Sequence, residues 1–569
     1  MAQSDARFGY RAKTSRVDHD LSQPLNFTTP PGLLCPIWFD FATPGDSYYM
    51  QHDMPLLRSI QLLAPMMTDV KVHFETFFVP LQMIYQPIEN TLFSLNNIQS
   101  SNYDSSNLMN NNLPLLDYGN WMKSLVNSPT LKFDAFRLAD FFGLSPLAVS
   151  IVADQEQTEH RYQTYAPNFF PWQILAYKAI FQYYYRLDDK TQFSQDFNWD
   201  KYYNTSLVNP AEDFMRMYDR PWDFDYFTSM YRSPILSNVN LQPVLPSASY
   251  NILSRYSYVS PQSINAGAAT NDDVANFGNR ASGNFDLNSA VIRQMFANEK
   301  LAMITGRTRK NYDSQVLAHY GVEVPHDVKH DLSMIHHDVY DLNVLEVTSL
   351  ASTDDAPLGE LAGKSIARGN GEKFKFTAPC HGVMMTIFSV EPKRTYTTGF
   401  DRINTVTNAF DLPVPEFDRL GNVPMYRYEG IAPIGSGQQT DIVGWKERYY
   451  QFKRKMPKAS IAFYSHNGVN NYASYVINSA PHGIPNGYTA DLAPGLSRPD
   501  LSSRFYISRD SMNAQCILDY VPDWQYHAGG EDWNVTPWLA YSRDPFIVDS
   551  HVKCKKVSWL SKDGEPIYD

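Results

Sequence analysis

Four histidines, His326, His330, His336 and His337, fall among Asp327, Asp331, Asp338 and Asp341 in one short stretch. His326 and His330 stand four apart, the spacing that puts two imidazoles on one helix face for zinc. The neighbouring carboxylates are the oxygen ligands that calcium takes. Pro325 and the Gly321-Val322-Glu323-Val324 lead-in point instead to a loop over 326–341. Three readings follow: a weak metal site on His326 and His330, a pH-sensitive subunit contact, or an ordinary polar loop. No resident cofactor is expected.

A second constellation is basic and aromatic. Between Lys446 and Lys458 stand six basic residues and one acid, a local charge of +5 in a chain of −12. Tyr449, Tyr450 and Phe452 interleave with Lys446, Arg448, Lys453, Arg454 and Lys455. Cations that follow a backbone, with rings on which bases stack, are what single-stranded nucleic acid requires. The competing reading is a strand with rings in the core and charges in water. Lys553, Lys555 and Lys556 form a weaker patch near the C-terminus, and Arg7, Arg11, Lys13 and Arg16 another near the N-terminus.

Catalytic chemistry finds little support. Gly359-Glu360-Leu361-Ala362-Gly363-Lys364-Ser365 resembles a phosphate loop, but three residues separate its glycines where four are needed. There is no Gly-x-Ser-x-Gly elbow. Cys35, Cys380, Cys516 and Cys554 lie far apart and read as free, mostly buried thiols. The chain is expected not to be an enzyme.

The elements that would carry these residues are mainly strands. In Asp69–Pro80, Val70, Val72, Phe74, Thr76 and Phe78 alternate with Lys71, His73 and Glu75. That period of two predicts a strand with one face on a core and the other elsewhere. Leu33–Phe41 alternates likewise, with Ile37, Phe39 and Phe41 against Trp38 and Asp40, and Pro44-Gly45-Asp46 breaks it. Leu342–Val347 and Gly382–Pro392 read as further strands. Phe170, Ile174, Tyr177, Phe181 and Tyr184 recur at helical spacing, with Pro171 near the first turn. A second helix is expected over 287–304, after which Arg307, Arg309 and Lys310 either face the helix's negative end or meet phosphate.

Composition agrees. Aromatics make up 14% of the 569 residues, which suits strands and broad contact surfaces. Residues 1–31 read as an extended arm kept from helix by Pro24, Pro30 and Pro31. It is either a basic arm against nucleic acid or a neighbouring subunit, or a solvated tail. Residues 86–230 form a helical excursion, and about 232–285, rich in Ser, Asn, Ala, Gly and Gln, belongs on a surface. The acidic net charge excludes a chain that binds nucleic acid by its overall field. The N-terminus has no apolar signal core and no run approaches a membrane span, so synthesis and folding in a cytoplasm are expected.

Several strings occur in one order that resembles the major capsid proteins of microviruses, small single-stranded DNA bacteriophages, and the gokushovirus branch most of all. They are the Pro44-Gly45-Asp46 turn, Phe77-Phe78-Val79-Pro80, Tyr184-Tyr185-Arg186, Asp225-Tyr226-Phe227-Thr228-Ser229, His319-Tyr320-Gly321-Val322, Gly382–Pro392, Gly444–Lys455 and Asp544-Pro545-Phe546-Ile547-Val548. The likeness weakens across 86–160, 232–285 and 460–530. It implies an eight-stranded antiparallel jelly roll, a β-sandwich with large loop and helical insertions, over 32–569 as one domain. It further implies sixty self-associating copies in a T=1 shell around a circular single-stranded DNA genome. A small basic DNA-binding virion protein would assist, and a protrusion built from 232–285 would lie near a host receptor. The virion would be the final location. The rival readings are a jelly-roll carbohydrate-binding or adhesion protein and a jelly-roll metalloenzyme using the histidine-rich stretch.

Overall fold

The computed structural model describes residues 16–60, 66–84, 129–144, 169–187, 216–231, 332–348, 361–396, 400–406, 411–418, 421–429, 442–459 and 544–558, with single positions between. Arg7, Arg11, Lys13, His326, His330, the helix expected over 287–304 and the 232–285 insertion lie outside them.

The chain opens with three strands, β1 (Val17–Asp20), β2 (Gln23–Thr29) and β3 (Cys35–Ala42). Two longer ones follow, β4 (Ser47–Ser59) and β5 (Val70–Pro80). Helices α1 (Leu81–Ile84), α2 (Pro129–Phe141) and α3 (Trp172–Ile180) come next. The strands resume as β6 (Ser333–Thr348), β7 (Leu361–Asn370), β8 (Phe374–Thr377) and β9 (Gly382–Pro392). A ribbon of β10 (Asn422–Tyr426) and β11 (Ile442–Glu447), a single turn α4 (Tyr450–Lys453) and β12 (Phe546–Ser558) complete the order.

The named strands pair antiparallel throughout. One layer runs β3-β9-β5-β6 and the other β6-β7-β4-β12, with β1 and β2 along β12 and β8 beside β4. β6 joins them: its first half pairs with β5 and its second half, from Asn343, pairs with β7. The layers face each other, as Phe27 of β2 meets Phe388 of β9 edge-on at 5.2 Å. This is a β-sandwich, as the alternating patterns predict.

Three elements depart from expectation. The strand β5 is buried on both faces, including His73 and Glu75. Its Phe74, Thr76 and Phe78 point between the layers, while His73, Glu75 and Phe77 lie under α3 and the π-helical turn Phe181–Tyr185 that continues it. A period of two identifies a strand but cannot say that a distant helix covers its second face. The segment carrying His336 and His337, expected as a loop, is strand β6, so the two imidazoles point to opposite sides. Residues 17–29 of the N-terminal stretch are strands added to β12 rather than a free extension.

Candidate functional site

Charged side chains inside a sandwich demand partners, because an isolated buried ion costs several kcal/mol. On the outer face of β5, Arg220 supplies one. Its Nη1 donates to Glu75 Oε2 at 2.7 Å and to Ser389 Oγ at 3.2 Å, and its Nε donates to Glu391 Oε2 at 3.2 Å. Tyr185 donates its hydroxyl to Glu75 as well. His73 Nε2 lies 2.9 Å from Glu391, and its Nδ1 lies 2.9 Å from His337 Nε2.

Burial alone would raise Glu75 and Glu391. The Arg220 guanidinium acting on Glu75, and the adjacent His73 with Arg220 acting on Glu391, hold both below the ordinary carboxylate value. Burial also lowers His337, only partly opposed by Glu75, and favours its neutral form. The cluster is a pin that joins β5, β9, β6 and the 217–231 segment.

Two of the family-like strings are structural pins too. In Asp225–Ser229, Asp225 Oδ1 accepts the backbone N–H groups of Phe227 and Thr228, both at 2.8 Å, while Oδ2 meets Arg394 and Tyr396. In the Pro44-Gly45-Asp46 turn, Gly45 has φ +87°, and Asp46 accepts the Thr43 N–H at 2.9 Å. Lys556 of β12 closes that turn from Asp46 at 3.2 Å and Asp40 at 2.8 Å.

That position corrects one DNA-facing assignment. Lys556 is buried, its ammonium spent on Asp40, Asp46 and the Phe41 carbonyl. Lys446 is a second correction. It is fully buried, donates to the Tyr226 carbonyl, and sits over the Tyr226 and Tyr450 rings at 4.7 and 4.9 Å. Burial lowers its pKa to about 8. Tyr449 is a third: its ring is buried, and its backbone adopts the left-handed region at φ 61° to turn β11 into α4. None of the three presents a cation or ring to a ligand outside.

The remaining candidates lie nearer the surface. Lys453 pairs with Asp418, Arg454 with Glu447 at 3.5 Å, Lys553 with Asp53, and Lys555 with Asp18 at 2.9 Å. Arg16 donates to the Gly45 carbonyl at 2.7 Å. Arg448 lies 5.5 Å over Tyr449, and Lys455 is exposed. The basic stretch is thus divided between a buried lysine held by a carbonyl and two rings and a rim in which Lys453 and Arg454 are paired with acids. Spacing alone could not separate the two.

Leu361 to Ser365 of the glycine-rich stretch lie in strand β7, paired with β6, an extended ladder rather than a phosphate-cradling turn. Cys35 and Cys554 are buried free thiols whose pKa burial pushes up to about 12, too high for a nucleophile at neutral pH. Sequence reasoning missed His52 and His73, which stand alone in hydrophobic strands and acquire partners only through strand pairing. Among the described residues no helix is long and apolar enough to cross a membrane.

A search of curated proteins finds no match. The family model for the capsid protein known as F protein matches residues 10–529, nearly the whole chain, and the antiparallel sandwich with its pinned family strings agrees with that match. The chain belongs to the F-protein family of microvirus capsid proteins.

Proposed function

We propose that sixty copies of this chain close into a T=1 shell around a circular single-stranded DNA genome. The capsid role and self-association follow from the family; copy number and cargo are the reading offered here. The observation that carries it is the exposure of large apolar side chains on a single subunit. Phe224 is 63% exposed, and Phe400, Ile403, Leu412 and Ile442 around the β10–β11 ribbon are also open to solvent. Such side chains gain about 25 cal/mol per Å² when neighbours cover them. Many weak identical contacts are enough to close a shell.

Electrostatics shapes the rest of the proposal. A chain of net charge −12 repels a polyanionic genome. Local cations such as Arg448 and Lys455, and a small basic companion protein, would mediate packaging. The 232–285 insertion would lie outside and meet the host. Assembly would occur in the host cytoplasm. The single domain, expected over 32–569 and extended by the strands β1 and β2, and the basic N-terminal residues Arg7, Arg11 and Lys13 belong to the same proposal.

The test is sedimentation and electron microscopy of the purified full-length chain. The reading predicts closed particles of uniform size, and dispersal to slow-sedimenting subunits when Phe400→Asp and Ile403→Asp are combined. A chain that stays monomeric under all ionic conditions would overturn it.

A further inference from the structure

The inner face of the sandwich holds a second histidine cluster of a different kind. His52 of β4 is fully buried, and His336 and Asp338 of β6 lie opposite it in the other layer. His52 Nδ1 is 2.8 Å from Asp338 Oδ2, and His336 Nε2 is 3.1 Å from Asp338 Oδ1. One ligand atom from each of the three residues lies within 4.8 Å of the others. A tetrahedral ion with ligands at about 2.0–2.1 Å sets its ligand atoms about 3.3 Å apart. The two imidazole–carboxylate distances fall near that value, each to a different carboxylate oxygen, and a small rotation of the carboxylate would bring one oxygen to both nitrogens.

We propose that His52, His336 and Asp338 form a binding site for one divalent transition metal of the zinc class, bracing the two layers of the sandwich. Imidazole with carboxylate is the donor set that zinc, cobalt and nickel take.

Four observations support the assignment. First, His336 Nε2 is buried and lies 3.1 Å from Asp338 Oδ1 outside good hydrogen-bond geometry, which leaves the nitrogen available to a metal. Second, His52 has the outer partner that ligand histidines use. Its Nε2 is 2.8 Å from Thr76 Oγ1, which is 2.9 Å from Thr386 Oγ1. With Nε2–H donating to Thr76 and Thr76 to Thr386, Nδ1 is the lone pair a metal needs; without a metal, Nδ1–H can donate to Asp338 instead.

Third, the rings are held in place. His336 stacks on Phe374 at 4.2 Å and 18°, and His52 stacks on Phe74 at 5.5 Å and 20°. Gly371 lets the chain pass close to the carboxylate, since a Cβ there would lie 2.4 Å from Asp338 Oδ2. Fourth, Asp338 pairs with no lysine or arginine among the described residues. The outer cluster of His73, Glu75 and His337 has similar ligand types, but Arg220 already provides its positive charge, so an ion there would meet repulsion.

The experiment uses the full-length chain as purified particles. These are stripped with a chelator, dialysed against Co2+ or Zn2+, washed and measured by elemental analysis and visible absorption. The proposal expects about one ion per chain and a cobalt spectrum of imidazole–carboxylate coordination. His336→Gln and Asp338→Asn should each weaken binding by at least about 100-fold. Thr76→Val should weaken it by about 10–100-fold through His52. His337→Gln should bind as the parent does. Particle formation reports that each variant folds. No ion retained by the parent, or equal retention by the His336 and Asp338 variants, would overturn the proposal, leaving a cluster that exchanges protons only.

Discussion

Replacing Arg220 with alanine strips Glu75 and Glu391 of their guanidinium inside the fold, where both carboxylates are almost wholly shielded from water. Removing one partner of a buried ion pair costs about 3–5 kcal/mol, because the other charge stays desolvated. Unfolding carries roughly 2.1 cal/mol/K per residue, or about 1.2 kcal/mol/K for 569 residues, so Tm should fall by about 2.5–4 °C. Calorimetry of the subunit at pH 7 is the assay, with Lys393→Ala as reference. Lys393 and Asp69 sit 3.7 Å apart and both are largely exposed, so that change should move Tm by less than about 1 °C. The deficit of Arg220→Ala should also shrink in acid. In the parent, Glu75 and Glu391 are held low and contribute stability above pH 4.5 that is lost as the pH falls. Without Arg220, burial raises both, and protonation relieves the penalty. An Arg220→Ala protein as stable as the lysine reference would refute the view that this cluster pins β5 to its cover.

Gly32→Ala should destabilise the chain by about 1–3 kcal/mol in urea unfolding, since φ is +78° and a Cβ would lie 2.4 Å from that of Ile507. Thermal stability should decline as the pH drops below about 6.5, before the carboxylates titrate. Burial lowers His52 and His337, so the unfolded chain takes up protons first, and His337→Gln should remove part of that decline. In single-stranded DNA binding measured against salt, Lys455→Ala should reduce the salt slope by about 1 if it contacts phosphate. Lys446→Met should leave the slope unchanged, because the ammonium is inside the ribbon.

The chain's own order of residues determined a good deal. Alternation in Asp69–Pro80 and Gly382–Pro392 specified strands, since period two admits no other regular element. The Phe170–Tyr184 stripe specified a helix, and eight short strings in a set order specified the capsid family. These are local signals, and local chemistry is enough to read them.

Tertiary structure alone decided which charges face water and which are structural pins. Lys446 and Lys455 look alike in the sequence, yet one is sealed between Tyr226 and Tyr450 and the other meets water. His336 and His337 are adjacent, yet the pleat of β6 sends one to His52 and the other to His73, residues 284 and 264 positions away. Burial and pairing at such separations depend on strand register, which no spacing along the chain encodes.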